Sequence, residues 1–126
     1  MVKFISFVII IGAIIAIVYA IGFRKNKPAN PKISKTTQIE TIVIENNRFI
    51  PTALKIPLGA TVVFENKDTS YHQVASDPHP THTAYPQLNL PILAPGETSE
   101  VIFTKQGTFG LHDHLLPTLK AQVVVE

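Results

Sequence analysis

Residues 98–126, TSEVIFTKQGTFGLHDHLLPTLKAQVVVE, decide the fold. Three runs stand out in it: TSEVIFT (98–104), TFGLHDH (108–114) and AQVVVE (121–126), each rich in Val, Ile, Phe or Thr. Apolar and polar residues alternate within them, and Gly107 and Pro117 punctuate the gaps, which is the pattern of short half-buried strands. Working outward, the same pattern recurs in QIETIVIE (38–45), ALKIP (53–57), TVVFEN (61–66) and HQVAS (72–76). No helix longer than a turn or two is expected. Seven such runs predict an all-β domain over 38–126, an antiparallel two-sheet sandwich of about seven strands with Greek-key connections.

One connection breaks the spacing. Between Ser76 and Pro95 lie Pro78, Pro80, Pro86, Pro91 and Pro95, half of the ten prolines in the chain. A loop of about twenty residues exceeds what structure alone requires, and proline stiffens it, so side chains on it are presented with less loss of entropy. It carries His79 and His82. All five histidines of the chain (His72, His79, His82, His112 and His114) fall between positions 72 and 114, and there is no cysteine. Neutral imidazole is a common metal ligand, and without thiolates the donors available are nitrogen and oxygen.

The sequence pI near 9 is misleading. From Gln38 onward there are five Lys/Arg against nine Asp/Glu, a formal charge of −4 with His neutral. An acidic domain favours a cation over a phosphate backbone, so no nucleic-acid partner is expected. The basic residues sit elsewhere. Residues 4–23, FISFVIIIGAIIAIVYAIGF, are free of charge, and as a helix they would span roughly 30 Å of hydrocarbon. Residues 1–23 are therefore expected to form a single transmembrane anchor, with a secretory signal ending near Val18-Tyr19-Ala20 as the alternative. Residues 24–37, RKNKPANPKISKTT, hold five basic residues and two prolines and read as a solvated linker. Lys3 precedes the apolar stretch and Arg24, Lys25 and Lys27 follow it, so flanking charge gives no clear orientation. Metal-binding imidazoles and the lack of thiols suit an extracytoplasmic placement of the C-terminal domain.

The ordered motifs resemble those of cupredoxins, the plastocyanin-like copper domains. Phe49-Ile50-Pro51, then Leu54, Ile56, Gly59, Val62, Phe64 and Asn66-Lys67-Asp68, then His72-Gln73-Val74, follow the family's order. So do Pro95-Gly96-Glu97, Gly107-Thr108-Phe109 and Val123-Val124-Val125, and coverage runs from about residue 39 to the end. The departures are as informative. Where the family places its Cys, second His and Met ligands, this chain has Asp113, Leu116 and Leu119, so of the family's ligands only His72 carries over. A blue centre depends on the copper–thiolate bond and is excluded. The resemblance implies a non-blue variant.

Strand parity yields two possible sites. Phe109 and Leu111 should face the core, Asp113 continues that row, and His112 and His114 point the other way; His72 shares the inward side with Val74. In one scheme His72 and Asp113 occupy the family's copper position and His114 swings in. In the other, His112 and His114 form an outer clamp that His79 or His82 completes. His112-Asp113-His114 also resembles the His-Cys-His segment of multicopper oxidases, with the sulfur lost. Asp113 is either a ligand or an orienter of an imidazole. Asp68 and Asp77 read as turn residues, and Tyr71 and Tyr85 as packing residues.

The expected function is copper binding, with zinc as the second choice, in copper handling or redox, with a redox or copper-transfer protein as a possible partner. An enzyme with an open type 2-like copper or zinc position, and a metal-free interaction module on the same fold, are the alternatives. Hard ligands favour Cu(II) and disfavour fast electron transfer.

Overall fold

A computed structural model describes residues 38–126. The expected anchor and linker, residues 1–37, lie outside the described residues, and among those described no helix is long and apolar enough to cross a membrane.

Among the described residues, eight strands form two four-stranded sheets. They are β1 (Ile39–Ile44), β2 (Phe49–Ile50), β3 (Ala53–Ile56), β4 (Thr61–Asn66), β5 (Val74–Ser76), β6 (Thr98–Ile102), β7 (Gly107–Asp113) and β8 (Lys120–Val125). A 3-10 turn, Pro86–Leu88, interrupts the proline-rich connection. One sheet runs β2-β1-β4-β6 and the other β3-β8-β7-β5.

Two details correct the expectation from sequence. The strand count is eight, because the two-residue Phe49–Ile50 pairs with β1 before the chain crosses to the second sheet. Nor is the sandwich purely antiparallel. β1 lies parallel to β4, with Ile39 opposite Thr61, and β3 lies parallel to β8, with Ala53 opposite Gln122. Each sheet thus takes one strand from the first part of the chain against a later one, and both parallel pairs need the chain to switch sheets between Ile50 and Ala53.

The core follows the period of two. Ile42 and Ile44 of β1, Val62 and Phe64 of β4, and Val101 of β6 with Phe103 beyond it meet Ile56, Val74, Phe109, Leu111, Val123 and Val125 from the other sheet. Each fully buried Val, Ile, Leu or Phe stabilises the fold by about 1.5–3 kcal/mol relative to exposure. β8 keeps strict alternation over most of its length, whereas β7 ends in three consecutive buried residues, Leu111, His112 and Asp113. A strand that loses alternation is covered on both faces. The cover over the outer face of β7 is the loop that follows β5.

Candidate metal centre

The loop from Ser76 to Leu90 folds back over β7 by its own hydrogen bonds. The Ala84 amide donates to the Asp77 carbonyl at 2.9 Å, the His82 amide to the Pro78 carbonyl at 2.8 Å, and the Tyr85 amide to Ser76 Oγ at 2.8 Å. Asn89 ties the two ends together: its Oδ1 accepts from the Ser76 amide and its Nδ2 donates to the His82 carbonyl, each at 3.0 Å. His82 has φ of 52°, the left-handed region that a β-carbon disfavours by roughly 1–2 kcal/mol, and the bonds on its amide and carbonyl hold it there. Tyr85 anchors the far end in the core, stacked on Phe103 at 5.1 Å between ring centres and tilted against Phe109 at 4.4 Å.

This brings four imidazoles together. One ring nitrogen from each of His79, His82, His112 and His114 can be chosen so that all four lie within 4.8 Å of one another. Ring centres are 4.8 Å apart for His82 and His114, 5.1 Å for His82 and His112, and 5.3 Å for His79 and His112. With metal–nitrogen bonds of about 2 Å, donors on opposite sides of an ion are about 4 Å apart, so the group closes on one ion by shifts of under about 1 Å. His112 is buried, His82 and His114 are half-buried, and His79 is exposed.

The hydrogen-bond inventory marks the same point. Among the described residues, two buried side-chain polar atoms have no partner, His112 Nε2 and His114 Nδ1, and both belong to the four-imidazole group. Buried polar atoms are nearly always satisfied, and an orphaned pair of ring nitrogens in one group fits a cation that bonds to both. The opposite nitrogen of His112 is fixed by Asp77, with Nδ1 to Oδ1 at 2.7 Å. A carboxylate accepts only, so the proton sits on Nδ1 and the Nε2 lone pair faces the group. Burial, together with the neighbouring His114, His112 and His79 rings, holds His82 below the usual histidine value of 6.5, which keeps a lone pair available near neutrality.

His72 and Asp113 form a separate arrangement on the inner face. His72 is 2% exposed, with Nδ1 against Asp113 Oδ2 and Nε2 at 3.0 Å from Asp68 Oδ2. Each ring nitrogen faces a carboxylate oxygen, so both are already engaged within the protein and neither is left open to an ion. Asp113 Oδ1 accepts from the amides of Gln73 and Leu115, at 3.0 Å each. Burial raises the Asp68 carboxyl, but the Asn47 and Asn46 amides and the His72 ring outweigh it and leave it below its usual 3.8. Of the two schemes, the structure brings His79 and His82 to His112 and His114, and does not bring His114 to His72 and Asp113.

Three other residues depart from the expectation from sequence. Asp77 and Asp68 are not merely turn residues, since each holds an imidazole. Tyr85 packs as expected, while Tyr71 is 62% exposed. Neither contact leaves a local mark in the sequence: Asp68 and His72 are four apart but in a loop, where that spacing does not by itself bring side chains together, and Asp77 and His112 are 35 residues apart.

Comparison with known proteins adds the family. The cupredoxin-like domain matches residues 12–125. No curated protein matches. Among solved structures, a novel purple cupredoxin from Nitrosopumilus maritimus is 24% identical, covers 69% of this chain and 99% of its own, and superposes with a TM-score of 0.60. A Cu-containing nitrite reductase from Thermus scotoductus SA-01 is 27% identical over 69% of this chain but only 22% of its own, with a TM-score of 0.61. A reduced amicyanin variant is 23% identical over 72% of this chain and 84% of its own, also with a TM-score of 0.61.

Proposed function

The chain belongs to the cupredoxin-like domain family, and from that premise we propose that it is a membrane-tethered, extracytoplasmic protein that binds copper at a non-blue, all-imidazole site. The ligands are His79, His82, His112 and His114. The observation that carries this reading is the pair of buried, unpartnered ring nitrogens, His112 Nε2 and His114 Nδ1, inside that group. Imidazole donors suit both copper and zinc, and the divalent series places Cu(II) above Zn(II) at a given nitrogen site. The solved nitrite reductase with this fold is described as containing copper, which supports the same choice.

Four imidazoles can satisfy a four-coordinate ion without water, so the donor set favours holding a metal over activating a substrate. With no cysteine in the chain, the thiolate that makes a blue centre is absent, and four neutral nitrogens favour the oxidised ion. Copper handling is therefore the role, with a copper-transfer or redox protein as its partner. The tether is residues 1–23 and the linker 24–37, read from their apolar and basic composition.

The test is metal analysis of the full chain in detergent, followed by Cu(II) titration with electron paramagnetic resonance. One Cu(II) per chain is expected, with nitrogen couplings and no intense thiolate band. His112→Ala and His114→Ala should each change the spectrum. Full occupancy with an unchanged spectrum in both variants would remove the assignment.

A further inference from the structure

Gly110 and His112 lie two apart on β7 and so share a face of the strand. Asp77 sits over both. Its amide donates to the Gly110 carbonyl at 3.0 Å, and its Oδ1 meets His112 Nδ1 at 2.7 Å. A β-carbon built on Gly110 would collide with Asp77 Oδ2 and stand 3.2 Å from its Cγ, so a side chain at 110 forces the carboxylate out of its present seat. The missing side chain is a notch, and the carboxylate fills it.

We propose that Asp77 and Gly110 are positioning residues for the metal centre: the notch at Gly110 seats the Asp77 carboxylate, which locks His112 in the tautomer whose Nε2 is free to bind. This rests on the four-imidazole reading and adds how one ligand is kept ready. Without the carboxylate, the proton of neutral His112 can move to Nε2, which is buried and faces the group. There it occupies the position the ion needs. Oriented carboxylate–imidazole pairs typically contribute about 10–100-fold to metal affinity.

Two readouts on the full chain in detergent test this. Long-range proton–nitrogen correlation spectra of the metal-free protein should show His112 protonated at Nδ1. Asp77→Ala should shift that ring toward Nε2 protonation and weaken Cu(II) binding by about 10–100-fold in a competition titration. Gly110→Ala should do the same with Asp77 intact, and Asp77→Asn, which keeps an acceptor of the same shape, should retain the tautomer with a smaller loss. Circular dichroism identifies any variant that fails to fold, and should Asp77→Ala do so, Gly110→Ala decides the matter through the same two readouts. An unchanged His112 tautomer and Cu(II) affinity in Asp77→Ala and Gly110→Ala, alongside weakened binding in His112→Ala, overturns the positioning role alone. If His112→Ala also binds as wild type, the four-imidazole reading falls with it.

Discussion

Replacing Asp113 separates the two faces of β7. The carboxylate is fully buried; Oδ2 pairs with His72 Nδ1, and Oδ1 accepts from the Gln73 and Leu115 amides. Asp113→Ala leaves the buried His72 ring and two partly buried amides without that acceptor, and a buried group stranded without its partner costs about 1–3 kcal/mol, so a total of about 3 kcal/mol or more is expected. Asp113→Asn keeps an oxygen for the two amides and loses the acceptor facing His72, a change of about 1–3 kcal/mol. Against a total of about 5–15 kcal/mol for a domain of this kind, the alanine variant gives up roughly a fifth or more of the stability. Urea unfolding followed by circular dichroism measures both changes. Copper titration of the Asn variant supplies the second half of the test, because Asp113 points away from His112 and His114 and its loss should leave one Cu(II) per chain. An alanine effect below about 1 kcal/mol would refute the claim that the inner network is a structural clamp. Loss of copper stoichiometry in the folded Asn variant would show that Asp113 is a ligand.

Saturating Cu(II) should raise the melting temperature, since an ion that binds only the folded chain adds about 2.7 kcal/mol at a hundred times its dissociation constant; a chelator should reverse the shift and His112→Ala abolish it. His82 titrates below 6.5 in the folded chain, so the stability it contributes is present above that value and lost as pH falls through the lower folded value. Copper affinity should decline in the same direction, and a flat affinity between about pH 7.5 and 5 would contradict imidazole ligation. Asp68 is also depressed, so its contribution holds above 3.8 and disappears below it; Asp68→Asn should flatten the acid limb of the unfolding curve.

Strands with several alternating residues were legible because a side chain's face is a local property with period two. TVVFEN matches its strand residue for residue, and the outward aim of His112 and His114 followed from the inward aim of Phe109 and Leu111. Phe49–Ile50 was too short to show a period. The parallel pairings were not legible either, since which strands become neighbours depends on the sheet switch after Ile50 and not on any one strand's residues. Parity likewise left two candidate sites standing. What separates them is the path of the proline-rich loop, which lays His79 and His82 over one face of β7 and leaves His72 to two carboxylates on the other.

On the proposed copper reading, Tyr85 limits how the ion comes and goes. Its ring is 3% exposed and wedged against Phe103 and Phe109, and its hydroxyl accepts from the Thr104 amide at 3.0 Å. Swinging the whole loop aside would drag that ring into water, at about 1.5–3 kcal/mol before any hydrogen bond is counted. Traffic through the rim is easier: His79 stands exposed at the edge and can release or capture by turning its own ring. On the proposed copper reading, the ion would be exchanged at the His79 side, one donor at a time, with the scaffold beneath staying closed.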